Sequence, residues 1–332
     1  MSTFISVVIP NYNGGKTIGK CLEAVLASDY DRFEVLVVDD ASTDGSVGLI
    51  SAFPCRLIRL EQHAGASRAR NTGAKESAGD IIFFIDADCL VPKDTLSLVH
   101  KAITGHADTI IGGSYTPLPY DSNFFSIFQS IFIHYSELKR REPDYIASHS
   151  LAIEKKLFEK SSGFPEQFLP LLEDVEFSHR LRRSGYKLLM DPGILVRHIF
   201  NFTFRKSLRN AFRKSRYWIM YSLGNRDVCK DSGTASQELK INVLSYFLVI
   251  LFLLLYFILT GRIFLFLPLI LTGCNLYINR NLLRAFYRAK GTFFTIPASL
   301  YYTMLYPLAV GAGSLTGMIQ YYRNSSQDQT RG

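Results

Sequence analysis

The sequence predicts an α/β domain built on a mostly parallel sheet, followed by a group of transmembrane helices. Three observations predict it. Short apolar runs alternate with helical patterns through the first hundred residues, the signature of βαβ units. Pro10, Asp39-Asp40 and Asp86-Ala87-Asp88 all fall at the carboxyl ends of such runs, where covered parallel sheets gather their ligands. Residues 241–261 carry no charge, and at about 1.5 Å per residue that run is long enough to cross a hydrocarbon core of roughly 30 Å.

The elements follow in order. Residues 4–9 read as a strand ended by Pro10, and residues 11–15 as a turn. Residues 17–27 have helical periodicity, with Ile18, Leu22, Val25 and Leu26 on one face. Residues 33–38 form a second strand closed by Asp39-Asp40. Ser42-Thr43-Asp44-Gly45-Ser46 opens a helix through Ser51 with good N-cap chemistry. A third strand covers 55–60, an Ala- and Arg-rich helix 66–77, and a fourth strand 81–85. That fourth strand is apolar on both faces and belongs in the middle of a covered sheet. Neither G-x-G-x-x-G nor G-x-x-x-x-G-K follows the first strand, so both common nucleotide motifs are absent.

Side chains two apart on an extended chain point the same way. Asp86 and Asp88 are thus candidate hard oxygen ligands for Mg²⁺ or Mn²⁺ against a diphosphate. A turn and helix N-cap before residues 93–102 would also place carboxylates there. Residues 172–186 read as a second acidic element, a helix with acids in its first turn and Gly185 at its end. Asp174 there either complements the helix dipole or is a carboxylate base aimed into a cleft.

The C-terminal third is apolar. Residues 263–279 are a second, shorter run, and residues 292–322 a third, interrupted by Pro297 and Pro307. Lys240 and the cluster Arg205, Lys206, Arg209, Arg213, Lys214 and Arg216 precede the first run. Arg280, Arg284, Arg288 and Lys290 lie between the second and third. The positive-inside rule makes both regions cytoplasmic and leaves Arg262 outside, so the N-terminal domain is expected in the cytoplasm. The third run either crosses or turns back at Pro307. The formal charge of +8 fits an anionic membrane surface better than nucleic acid. Arg205, Arg209, Arg213 and Arg216 recur at helical spacing, with Phe204, Leu208 and Phe212 on another face, as in an interfacial amphipathic helix. The run Phe124, Phe125, Ile127, Phe128, Ile131, Phe132, Ile133 reads either as core or as a patch dipping into the interface. The first ten residues have no basic n-region and too short an apolar run for a signal peptide. The five cysteines show no C-x-x-C spacing and read as unpaired thiols without metal or redox duty.

Taken together, the motifs resemble those of family 2 glycosyltransferases with the GT-A fold. Ser6-Val7-Val8-Ile9-Pro10-Asn11-Tyr12-Asn13 is similar to the family's opening strand and nucleotide-contacting loop. Val37-Val38-Asp39-Asp40-Ala41-Ser42-Thr43-Asp44 resembles its V-D-D-x-S-x-D element. Ala69-Arg70-Asn71-Thr72-Gly73 with Asp86-Ala87-Asp88 resembles its A-R-N-x-G and D-x-D, and Glu173-Asp174 its E-D motif. The resemblance covers residues 4–200. It implies a nucleotide-sugar donor, a UDP-sugar by expectation, and Mn²⁺ or Mg²⁺. Pro10 and Tyr12 would border the base, and Asp39, in preference to Asp40, would bond it. Arg70 and Asn71 would hold the nucleotide and the loop over it, and Asp86 would contact ribose or metal. Asp88 would ligate the metal, with His198 as an extra ligand, and Asp174 would deprotonate the acceptor hydroxyl for inverting transfer. Gly112-Gly113-Ser114 and Ser148-His149-Ser150 are expected near the sugar.

The expected organisation is a nucleotide-sugar half (1–115), an acceptor half (116–200), a basic interfacial segment (201–240), a transmembrane region (241–323) and a polar tail (324–332). The expected acceptor is lipid-linked, at the cytoplasmic face of the membrane, in polysaccharide or glycolipid synthesis. The alternatives are a polyprenyl-phosphate sugar synthase, a processive synthase, and a non-enzymatic nucleotide-sugar sensor.

Overall fold

The computed structural model describes residues 3–261 and 263–329, with side chains to residue 324. Met1 and Ser2, Arg262 of the expected outer turn, and residues 330–332 of the polar tail lie outside the described residues. The chain divides into two compact units. One runs up to Ser122 and adds Glu137–Asn201; the other joins Asn123–Ser136 to the chain from Phe202 onward. The segment 116–200, expected as one acceptor half, is thus shared between them.

In the first unit, β1 (Ile5–Asn11), α1 (Ile18–Leu26), β2 (Phe33–Asp39), α2 (Ser46–Ile50), β3 (Arg56–Arg59), α3 (Ala66–Glu76) and β4 (Ile81–Ile85) alternate as the pattern requires. Apolar residues fill β1 and β4 on both faces, and Val7, Val8, Phe83 and Phe84 are buried. β5 (Cys89–Leu90), α4 (Thr95–Thr104), β6 (Thr109–Tyr115), β7 (Ser150–Glu154), α6 (Lys155–Lys160), α7 (Glu173–Arg183) and β8 (Lys187–His198) complete the unit, and α5 (Phe124–Glu137) lies between β6 and β7. The strand order is β3-β2-β1-β4-β7-β6-β8-β5.

The sheet is mixed where the sequence predicts it mostly parallel. β1 pairs in parallel with β2 and β4, but β7 runs antiparallel to β4 and β6, and β5 antiparallel to β8. No helical crossover delivers β7 beside β4. The chain leaves the sheet after β6, passes through α5 and a long loop, and returns reversed. Ser-Leu-Ala-Ile-Glu is too short a pattern to announce this strand.

Asp86-Ala87-Asp88 also departs from expectation. The strand ends at Ile85, and the Cys89 amide donates to the Asp86 carbonyl at 3.0 Å, closing a turn. The two carboxylates therefore do not share a strand face, and the turn sends them to different partners.

The second unit contains the body of α5, α8 (Phe204–Asn225), α9 (Gln237–Leu259), α10 (Ile263–Ile278), α11 (Arg280–Lys290), α12 (Thr292–Leu300), a π-helical turn (Tyr301–Leu305) and α13 (Tyr306–Gln329). Among the described residues, Gln237–Leu259 and Thr292–Asn324 are long and apolar enough to cross a membrane. α10 and α11 form a third candidate, bent by 61°. The chain does not turn back at Pro307. Proline lacks an N–H, and its ring crowds the carbonyl four residues earlier, here Thr303. The π-helical turn falls over that stretch, where the wider turn accommodates the proline while the helix continues.

α8 packs along α13. A Cβ at Gly313 would lie 2.3 Å from the Phe212 carbonyl oxygen, and one at Gly317 2.2 Å from that of Arg216. This small-x-x-x-small spacing lets the two backbones approach closely. Arg216 donates to the Gln320 side chain at 2.9 Å, so one member of the expected basic face is occupied within the unit. The aromatic run of α5 is core: Phe128 meets Phe286, Tyr301 and Tyr306.

Three asparagines bind the apolar helices together. Asn242 donates to the Tyr302 carbonyl at 2.8 Å, Asn275 to Asn242 Oδ1 at 2.7 Å, and Asn279 to Asn275 Oδ1 at 2.9 Å. The Tyr302 hydroxyl closes the network on Asn279 Oδ1 at 3.0 Å. Interhelical bonds of this kind contribute about 1–2 kcal/mol at most in membrane proteins. Asn275→Leu, which removes the central link, is expected to lower stability by about that amount. Thermal unfolding of the detergent-purified protein would show it, and an unchanged midpoint would refute the linking role.

Candidate active site

A cavity of about 450 Å³ opens over the carboxyl ends of β1, β2 and β4. Pro10 and Tyr12 border it from the end of β1, Asp40 from the end of β2, and Arg70 from α3. Asp86 and Asp88 border it from the turn after β4. Parallel strands end in register, so residues far apart in sequence arrive at one edge.

The tandem Asp39-Asp40 splits into two jobs. Asp39 is buried and accepts from the Asn11 side-chain amide at 2.8 Å and the Ser42 amide at 3.0 Å, which ties the β1 loop to the β2 loop. It does not line the cavity; Asp40 does. Asp40 accepts from the amides of Ala64 and Gly65 at 2.7 and 2.8 Å, and pairs with His63 at 2.9 Å. That grip presents His63 to the cavity, where its ring stacks on Tyr12 at 4.0 Å. Tyr12 remains about half exposed (49%), leaving an aromatic face available at the cavity wall. His63 belongs to none of the motifs, and only the fold of its loop brings it here.

Arg70 is buried and links the two acidic motifs, donating to Asp86 at 2.7 Å and Glu173 at 3.1 Å. Burial alone would raise the Asp86 pKa. Arg70 first, then His149 and His198, outweigh it and hold Asp86 below the usual carboxylate range. Asn71 does not line the cavity. Its side chain bonds both the carbonyl and the amide of Phe164 at 2.8 Å, which fixes the loop carrying Gly163.

Asp88 faces the other way. Its Oδ1 lies 3.3 Å from His198 Nε2, because Cys89 pairs with His198 in the β5–β8 ladder. Burial, and then repulsion from Asp86, push the Asp88 pKa up to about 7. Solvent still reaches it through the cavity (39% of the side chain is exposed). Among the described residues, Asp88, Cys89 and His198 hold ligand atoms within 4.8 Å of one another. Burial and the two aspartates raise the Cys89 thiol well above its ordinary value, so it stays protonated and is a poor ligand. Carboxylate and imidazole remain, a donor pair suited to Mn²⁺ and acceptable to Mg²⁺ with water and phosphate oxygens. Asp86 stands apart from that group, on Arg70.

Asp174, in the first turn of α7, accepts from the Ser148 amide at 3.3 Å and its neighbour Val175 at 2.8 Å. His149 beside it is buried, pairs with Glu137 at 3.2 Å and stacks on Tyr115 at 4.0 Å. Burial would lower the His149 pKa, but Glu137, then Asp86 and Asp174, raise it above the ordinary value. The surrounding acids thus favour the protonated form of this ring. Glu137 and Tyr115 carry no sequence signal, since one ends an apolar helix and the other a buried strand.

Residues 6–160 match the Glycosyl transferase family 2 profile. The chain carries a family 2 glycosyl transferase domain. Glycosyltransferase GlyG of Streptococcus pneumoniae is 34% identical over 131 residues, 38% of this chain and 44% of that protein. The chain thus spans less than half of that relative. Glycosyltransferase AglE of Haloferax volcanii is 28% identical over 239 residues, 68% of this chain and 77% of the relative. Among solved structures, a mannosyltransferase of Pyrobaculum calidifontis in complex with GDP-Man and Mn²⁺ aligns over 95% of this chain and 88% of its own. Its TM-score is 0.57 at 17% identity, a likeness of fold. The transferase domain therefore has the GT-A arrangement that the resemblance implies. Its profile match ends before α7, so Asp174 and His198 lie beyond the matched residues.

Proposed function

We propose that this chain transfers a sugar, with inversion, from a nucleoside-diphosphate sugar to a lipid-linked acceptor at the cytoplasmic face of a membrane. The carrying observation is convergence: Pro10, Tyr12, Asp40, Arg70, Asp86 and Asp88 border one cavity. The domain identity and the relatives support glycosyl transfer. The candidate spans and the basic helices support the membrane setting.

In this reading Tyr12 and His63 flank the base, and a UDP-sugar is the expected donor. Asp40 and Asp39 shape the base pocket, and Asp86, set by Arg70, meets the ribose. Asp88 and His198 would hold a divalent cation, Mn²⁺ or Mg²⁺; a structural neighbour contains Mn²⁺. Such a cation supplies Lewis-acid stabilisation of the departing diphosphate. Asp174 takes the acceptor proton. Residues 1–115 serve the donor, and those of 116–200 that belong to the first unit serve the acceptor.

Proton and cation compete for Asp88. Its pKa of about 7 means Mn²⁺ binding should weaken as pH falls below that value, approaching tenfold per unit. Free Mn²⁺ measured by electron paramagnetic resonance between pH 8 and 6 would show it. Equal affinity across that window would remove Asp88 from the ligand set.

The acceptor class is tested by incubating the purified protein with a labelled donor and membrane lipid extract. Label entering the organic phase is the expected result. Label retained only in water-soluble product would point to a soluble acceptor.

A further inference from the structure

The transfer chemistry gives Asp174 a task and leaves its neighbours His149 and Glu137 without one. The sheet explains how they meet. Ile85 of β4 pairs with Ser150 of β7, which brings the residues just beyond them, Asp86 and His149, to the same end of the sheet. The residue before His149 reaches the base, since the Ser148 amide donates to Asp174 Oδ2 at 3.3 Å. Glu137 has both oxygens engaged. Oε1 lies 3.2 Å from His149 Nε2, and Oε2 accepts from Ser114 Oγ at 2.7 Å. Tyr115 covers one face of the imidazole at 4.0 Å. The ring is thus held at one nitrogen and along one face. Its other nitrogen, Nδ1, is buried and bonds to nothing among the described residues, so the ring is not a link in a hydrogen-bonded proton chain.

The titratable groups around the ring are Glu137 of α5, Asp86 and Asp88 after β4, Asp174 of α7 and the Tyr115 phenol of β6. Glu137 foremost, then Asp86 and Asp174, favour its charged form although burial opposes it. A fixed cation beside a carboxylate makes that carboxylate harder to protonate. Asp174 can take a proton from an acceptor hydroxyl only while it is ionised. We infer that His149 is a positioning residue for the transfer: Glu137 clamps the ring, and the clamped cation keeps Asp174 ionised and seated on the Ser148 amide. The inference rests on the reading of Asp174 as the base and names what holds that base ready.

Two variants remove the charge by different routes. In H149Q the amide can still donate to Glu137. In E137Q the side chain can still accept from Ser114, while its NH₂ turns to the ring and favours the neutral form. Nucleoside diphosphate release would be followed from about pH 5 to 9, with membrane lipid extract and the nucleotide sugar that the parent turns over. Mn²⁺ would be saturating at every pH, so that proton competition at Asp88 does not set the profile. The expected result is an acid limb moved up by about one pH unit in each variant. The deficit is then about tenfold at the acid end and shrinks as rising pH ionises Asp174 unaided. E137Q/H149Q should be no worse than the poorer single variant, because the one charge is lost only once. Donor Kd should stay within about twofold, since Arg70 still serves Asp86 at 2.7 Å. A merely structural role gives the same fractional loss at every pH. That result, an unmoved limb in either variant, or additive losses in the double variant would overturn the inference. Asp174→Asn in the same series separates the two readings. Full activity there removes the base itself, whereas a slow D174N beside unmoved limbs in H149Q and E137Q defeats only the role of His149.

Discussion

Replacing Asp88 with Asn is expected to slow nucleoside diphosphate release by on the order of 10²- to 10³-fold. The side chain keeps its size and its place beside His198, 3.3 Å away, but loses the negative charge that would hold a divalent cation. The charge developing on the departing diphosphate then lacks its counter-charge. A loss of this size corresponds to about 3–4 kcal/mol of transition-state stabilisation. The proper comparison is Asp86→Asn. Asp86 is matched by Arg70 at 2.7 Å, so its loss frees a buried guanidinium and should lower folding stability as well as activity. Asp88→Asn should leave the unfolding temperature close to that of the parent or above it, because a carboxylate crowded by another carboxylate is removed. A variant that keeps full rate and its metal dependence would place the cation elsewhere.

Replacing Asp174 with Asn should lower turnover by about 10²- to 10⁴-fold, the usual range for losing a general base. Donor affinity should not change, since Asp174 is not among the residues lining the donor cavity. The carboxylate takes the Ser148 and Val175 amides on different oxygens, and the single oxygen of an asparagine can keep the shorter bond, from Val175 at 2.8 Å, so the first turn of α7 should hold while the longer tie to Ser148 is lost. The observation to make is turnover against donor Kd, measured separately. Full activity in this variant would favour a phosphate acceptor, which is already ionised and needs no base. That outcome would exchange the leading account for the polyprenyl-phosphate synthase.

The alternation of strands and helices to Ile85 was legible because each element is short, strongly apolar and punctuated by turn residues. The edge of the site was legible for the same reason, since parallel strands place their ends together. What followed β4 was not. A turn bond from Cys89 to Asp86 separates two carboxylates that the spacing alone would put on one side. The antiparallel β7 owes its place to a long excursion of the chain and not to its own five residues. Asp39 and Asp40 are adjacent in sequence, and only the bonds they accept, from the Asn11 side chain and from the Ala64 backbone, decide which one faces the cavity. His63, Tyr115 and Glu137 sit outside every motif, and non-local contacts alone bring them to the site. In the second unit the apolar runs were plain, but the polar links inside them were not. Asn242, Asn275 and Asn279 look like isolated interruptions until helix packing joins them.

The measurement closest to the central claim is nucleoside diphosphate release by the detergent-purified protein across a panel of nucleotide sugars. Parallel samples would contain Mn²⁺, Mg²⁺ or chelator, with membrane lipid extract supplied as acceptor. The account predicts release from one donor or a narrow set, dependent on the cation and on the extract, and lost in Asp88→Asn. Nucleotide-sugar binding with no release under any of these conditions would contradict it and make the domain a sensor of its ligand.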